Sequence, residues 1–183
     1  MASAFAHAAA ASALSAAAGI PLQARRAWLL GIGCSILPDL DSVGYLFGIP
    51  YEHVLGHRGL THSLPFAAAL AWGVGRGLFP EMDGSFRHRL YLYFFLCTAS
   101  HGLLDAMTDG GLGVAFLAPF SNDRYFAPFR PIIVSPLEPY KFFSRRGLGI
   151  LRSEFIWVWL PSIGLAIFAW MWRSATTREH SSS

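Results

Sequence analysis

Apolar stretches of membrane-crossing length that carry histidine and aspartate inside them leave this chain few ways to fold. A helix needs about 20 mostly apolar residues to cross the hydrocarbon core of a bilayer. Stretches of about that length, or somewhat shorter, fall at 2–20, 27–49, 64–79, 90–107 and 155–172. The last is the cleanest. It is unbroken apart from Ser162, carries Trp157, Trp159, Trp170 and Trp172 near its two ends, and is followed at once by Arg173, which is the aromatic belt and charged stop of a spanning helix. The others are compromised by groups that lipid rejects: His7 in the first, Asp39 and Asp41 in the second, Arg76 in the third, His101 and Asp105 in the fourth. Ionisable groups at such depth face a protein interior or a wet cavity. The expected fold is therefore all-α, a polytopic membrane protein of about four to five spans, with 2–20 the least certain to cross fully because alanine is only weakly apolar. A cleavable leader is the other reading of that stretch, since Ala16 to Gly19 are small, but a basic region ahead of it is missing.

Composition points the same way. Of 183 residues, 54% are hydrophobic and 14% charged, with six Trp and fifteen Phe, against about 25% charged in soluble domains. A soluble domain this small has too little interior to hide that much apolar surface. The formal net charge is +3, but the basic residues are spread through the gaps between stretches, so no patch for nucleic acid forms. With five spans they divide seven to seven between the two sides. The positive-inside rule then gives no orientation unless the long 109–153 loop is discounted, which would put the amino terminus outside. That Pro- and Gly-rich loop is expected to lie as a structured cap on one membrane face. Residues 1–173 read as a single membrane-embedded domain and 174–183 as a polar tail. Cys34 and Cys97 lack the spacing of a disulfide framework or zinc ribbon and read as packing residues.

The chemistry gathers in three blocks, PDLD at 38–41, HRGLTHS at 57–63 and HGLLD at 101–105, with His7 upstream. His101 and Asp105 stand four apart on a helix and project from one face; the plain alternative is a buried hydrogen bond between helices. Asp39 and Asp41 would repel each other unless a cation or a helix N-terminus lay between them. In HRGLTHS, Gly59 permits a turn, Thr61 or Ser63 can cap the helix after it, and His57 and His62 flank the turn. Arg58 offers a fork of donors for an oxyanion or phosphate. Imidazole mixed with carboxylate suits a divalent metal, zinc first and manganese second.

Taken together, these blocks resemble the YdjM-like family of bacterial inner-membrane proteins, described as metal-dependent hydrolases. Its signature is an early His, a PDxD element, HRGxTHS and HxxxD in that order. The resemblance implies a multi-pass protein of the bacterial inner membrane. The order also resembles that of the zinc-dependent phospholipase C and single-strand nuclease superfamily, all-helical enzymes with clustered metal ions. That likeness implies one to three ions held by His7, one of Asp39 and Asp41, one of His57 and His62, His101 and Asp105. The chain departs from it in lacking a second HxxxE-type element after Asp105, where only Asp109 and Glu154 stand to substitute.

The expected activity is hydrolysis by a metal-activated water, with Asp39 or Asp41 taking the proton and Arg58 steadying the developing charge. Set at helix ends, such a site reaches a membrane lipid or lipid-linked phosphate. No feature identifies a protein partner. A metal or proton transporter would use the same groups as a pathway, and a non-catalytic adaptor would use the metal as a structural clamp.

Overall fold

The computed structural model describes every residue except 22, 23, 83, 137–141, 143, 144, 182 and 183, and no side chains of 177–181. Helices form where the apolar stretches predict them. The alanine-rich α1 spans Ala4–Ala17, its first turn closed by Ser3, whose hydroxyl accepts from the Ala6 amide at 3.4 Å. Next come α2 (Arg25–Ile36), α3 (Leu64–Leu78) and α4 (Gly84–Ala106). Ser63 caps α3 by accepting from the Phe66 amide, and Pro65 sits in its first turn, where a missing N–H costs nothing. The chain closes with α5 (Arg145–Glu154) and α6 (Leu160–Ser181), joined without a break by a π-helical turn at Phe155–Trp159. Pro161 follows that turn. Its ring would clash with the carbonyl four residues back, and a wider turn relieves the clash.

Among the described residues, two helical runs are long and apolar enough to cross a membrane, Arg25–Phe47 and Arg145–Thr176. The other expected spans are helical, but α1 and α3 have only 14 and 15 residues. In α4, 23 residues long, Arg87, His88 and Arg89 lie near one end and His101 and Asp105 near the other. The polar segment after residue 173 continues as helix to Ser181. The described residues of the 109–153 cap are mostly irregular chain, pinned by isolated bridges Thr108–Ile132 and Val114–Tyr125, and the last of them belong to α5.

The main core lies between α1, α2, α3 and α4 and includes Ala11, Ala27, Cys34, Ala71, Leu90 and Phe94. Small residues bring the backbones close. At Gly31 a Cβ would run into the ring of Tyr93, whose hydroxyl donates to the Ala11 carbonyl at 3.3 Å. A smaller cluster of Ala2, Ala6, Ile132 and Val158 packs below the cap. Outward faces are apolar as well, with Phe5, Leu29, Trp72, Leu92 and Phe168 all exposed, the surface expected where lipid replaces water.

The short turns after α1 and α3 make successive helices alternate in direction. His7, the 38–63 segment and the last turns of α4 therefore meet at one end of the bundle, under the cap.

Candidate metal centre

The end of α2 builds the first wall. Pro38 supplies no N–H, and the chain continues from Leu37 to Phe47 as a 3₁₀ helix, with Asp39 in its first turn. In that pattern the donor for the Ser35 carbonyl would be Pro38, so the carbonyl is left free to accept from His101 Nδ1 at 2.6 Å. With its proton held there, His101 turns the Nε2 lone pair inward. It meets His62 Nε2 at 3.0 Å, Asp39 Oδ1 at 3.3 Å and Asp105 Oδ2 at 3.9 Å.

His62 is fixed from behind by Asp41. A carboxylate only accepts, so the His62 Nδ1–H points to Asp41 Oδ2 at 3.1 Å. The Thr61 hydroxyl donates to the same oxygen at 2.7 Å and the Arg58 amide at 3.1 Å, while His57 Nδ1 donates to Asp41 Oδ1 at 2.7 Å. Asp41 thus orients two imidazoles and the HRGLTHS turn. Burial opposes a charge on His62, but the carboxylates of Asp105 and Asp41 outweigh it and hold the imidazole up at about 9. Both Asp41 and His57 could also join His62 in a second, adjoining group of donors.

The HRGLTHS turn lies directly against α4. A Cβ at Gly102 would stand 2.8 Å from the His62 carbonyl, so only glycine lets the two backbones approach this closely. Arg58 is fully buried with a left-handed backbone, φ 63°, a conformation non-glycine residues hold only when surroundings enforce it. Its guanidinium donates to the Gly110 carbonyl and the Thr108 hydroxyl, each at 2.9 Å, and Nε stands 3.0 Å from Asp105 Oδ2. The fork of donors expected for a substrate oxyanion is engaged by the protein's own acceptors, and its charge reaches the site through Asp105.

His7 enters from α1. Its ring stacks on that of His101 with centroids 3.8 Å apart, and Nε2 is 3.9 Å from Asp105 Oδ1, which also accepts from the Ala2 amide at 2.7 Å. The two carboxylates that could have completed a second ligand element lie elsewhere. Glu154 accepts from the Ser3 amide and hydroxyl, and Asp109 from the Val134 amide.

Asp39, His62, His101 and Asp105 offer donor atoms all within 4.8 Å of one another, with His7 alongside. Both nitrogens of His7 and both oxygens of Asp39 are buried without a hydrogen-bond partner, while Asp105 Oδ2 has the Arg58 guanidinium beside it. Buried polar atoms are normally paired, and three carboxylates here stand near the Arg58 guanidinium and the Met1 amino group. With neutral imidazoles the cluster keeps a net negative charge, which a cation would neutralise. The donor set fits such an ion. The Asp39 side chain, 10% exposed where those of His62, His101 and Asp105 are at 0%, marks the side on which the cluster meets the outside.

The blocks PDLD, HRGLTHS and HGLLD single out the ionisable members of this cluster. Thr61, Thr108 and the carbonyls of Ser35 and Gly110 carry no comparable signal, because a hydroxyl or backbone oxygen becomes a positioning group only through the fold. Thr61 lies inside HRGLTHS and could have been found there.

An all-helical membrane protein with a buried His–Asp cluster able to hold a metal ion is the class that fold and site define. The chain belongs to the YdjM inner membrane protein family, whose description matches residues 1–176. It is similar to a protein of Escherichia coli (strain K12) described as inner membrane protein YbcI, 40% identical over 146 residues, covering 78% of this chain and 82% of the relative. No solved structure gives a significant match.

Proposed function

We propose that the chain is a multi-pass inner-membrane hydrolase that binds a divalent metal, zinc first, through His7, Asp39, His62, His101 and Asp105. The reading rests on one observation: His62 and His101 aim Nε2 at each other while both oxygens of Asp39 lie buried beside them without a hydrogen-bond partner. A bound ion would supply Lewis acidity and make a water acidic enough to attack at neutral pH.

The residues then divide the work. Asp39, on the open side, takes the proton from the attacking water. Asp41 keeps His57 and His62 in their tautomers, and such outer partners usually matter nearly as much as ligands. Arg58 holds Asp105 in place. The substrate class that suits a site at helix ends under an apolar cap is a phosphoester on a lipid or lipid-linked phosphate. Leu40, Leu46, Phe47 and Phe120 are all strongly exposed around this end, a surface that would sit among acyl chains and bring headgroups to Asp39.

The near-complete burial of the cluster favours a second reading, a non-catalytic protein clamped by a structural metal. One experiment separates the two: elemental analysis of detergent-purified protein alongside hydrolysis of a phosphodiester and a phosphomonoester, with His101→Ala and Asp105→Ala as controls. Stoichiometric metal and metal-dependent turnover, both lost in the variants, support the hydrolase. Metal without turnover supports the clamp, and a folded protein that takes up neither zinc nor manganese rejects both.

A further inference from the structure

Glu154 is a fully buried carboxylate that the metal chemistry leaves without a task, and it stands on α5, which carries no member of the cluster. Both of its oxygens are taken by one residue: Oε1 accepts from the Ser3 amide, and Oε2 from the Ser3 hydroxyl at 2.6 Å. Ser3 in turn stands between two members of the cluster. Its carbonyl accepts from the His7 amide at 3.2 Å, in the first turn of α1. One residue back, the Ala2 amide donates to Asp105 Oδ1 at 2.7 Å. Ala2 is itself fully buried in the cluster it forms with Ala6, Ile132 and Val158, and the Met1 carbonyl accepts from the Ser135 amide at 2.9 Å. Residues 1–3 are thus fixed at once by α4, by α5 and by the cap.

We propose that Glu154 is a positioning residue of the metal centre, acting through Ser3 and the Ala2 N–H to set Asp105 and His7. The assignment rests on the metal reading above, and three observations carry it. A carboxylate in an interior is costly unless its oxygens are satisfied. Those of Glu154 are satisfied by the backbone and side chain of one residue, which fixes that residue in place and orientation. Asp105 has Arg58 Nε beside Oδ2 and the Ala2 amide on Oδ1, so the 1–3 segment holds the second oxygen and with it the plane of the carboxylate that faces His62 and His101. His7 shares the same anchor, because Ser3 caps α1, and any movement of that cap carries the ring stacked on His101. Outer partners that orient ligands are usually needed for full metal affinity. Glu154 is therefore not a ligand in place of the missing HxxxE-type element; it ties the last helical run of the chain to the metal centre from behind.

The test uses the full chain, purified in detergent and stripped of metal, then titrated with zinc against a fluorescent chelator and with cobalt(II) under visible absorption spectroscopy. Glu154→Gln keeps the size of the side chain but turns one acceptor for Ser3 into a donor. Zinc affinity should fall about tenfold at unchanged stoichiometry, and the cobalt bands should shift. Ala2→Pro deletes the N–H on Asp105 without touching Glu154 and should have the same effect, whereas Ala2→Gly keeps that N–H and should bind like the parent. Because both act through one segment, Ala2→Pro with Glu154→Gln should bind within about twofold of Ala2→Pro alone; independent losses would multiply to about a hundredfold. Such multiplication would overturn the proposal, as would parent-like affinity and spectrum in Glu154→Gln. Loss of stoichiometric metal in Glu154→Gln would overturn it too, by making Glu154 a ligand. A parent protein that takes up neither cation would overturn the metal reading and this assignment together.

Discussion

The Nε2 atoms of His62 and His101 lie 3.0 Å apart, while Nδ1 of His101 is bound to the Ser35 carbonyl and Nδ1 of His62 faces Asp41 and the Thr61 hydroxyl. Two neutral imidazoles so held present lone pair to lone pair, an arrangement that only a shared proton or a shared cation makes favourable.

Metal and proton contend for His62, whose imidazole is held at about 9 in the metal-free protein. Raised above its unfolded value of 6.5, it contributes stability that is full below pH 6.5 and lost as pH rises through 9. The metal-free protein should therefore lose thermal stability between those values. Metal affinity should move the other way, weakening about tenfold per pH unit below 9 as one proton must leave. Melting temperatures with and without zinc at pH 6, 7.5 and 9 give the comparison; parallel curves would remove the proton–metal competition.

Asp41→Asn keeps the shape of the carboxylate but turns one acceptor into a donor facing His57 or His62. Zinc affinity should fall about 10–100-fold without disappearing, whereas His101→Ala and Asp105→Ala should abolish stoichiometric binding. Competition with a fluorescent chelator measures all three. Complete loss in Asp41→Asn would make Asp41 a ligand itself.

Removing Arg58 uncovers Asp105 and strands the acceptors at Thr108 and Gly110. Arg58→Gln should cost about 3–5 kcal/mol, the usual result of leaving a buried charge without its partner. Arg58→Lys should rescue little, since an ammonium cannot span three acceptors from one fixed fork. Unfolding in mixed detergent with a denaturant series would read both.

Gly102→Ala places a methyl group 2.8 Å from the His62 carbonyl. Overpacking of this kind costs about 1–3 kcal/mol, and here it should also lower metal affinity by pushing the HRGLTHS turn off α4. Gly33→Ala, with nothing within 4 Å of the added carbon, is the matched control and should be neutral or stabilising. Equal melting temperatures for the two would show that the turn yields without cost.

The helices and the ionisable members of the cluster were legible in the sequence for one physical reason. Charge inside an apolar segment is expensive, so each of His7, Asp39, His101 and Asp105 announces an interior. Division of labour was less legible. Asp39 and Asp41 are two residues apart in one block, yet the 3₁₀ geometry after Pro38 sends one to face the imidazole Nε2 atoms and the other behind His62. Arg58 reads as a substrate clamp from its neighbours in HRGLTHS; its tie to the 108–110 loop depends on contacts some fifty residues away. The number of membrane crossings was obscured by the same groups, since residues that build the site shorten or polarise the apolar runs that carry them.

His7 and Asp105 stand 3.9 Å apart in space and nearly a hundred residues apart in the chain. During synthesis α1 must wait for α4, its imidazole without that neighbour, until the last of the four donor-bearing segments arrives. An ion that needs all four could be captured only then, so metal loading would be a late event in biogenesis, and a truncated chain ending before α4 would have no way to acquire it.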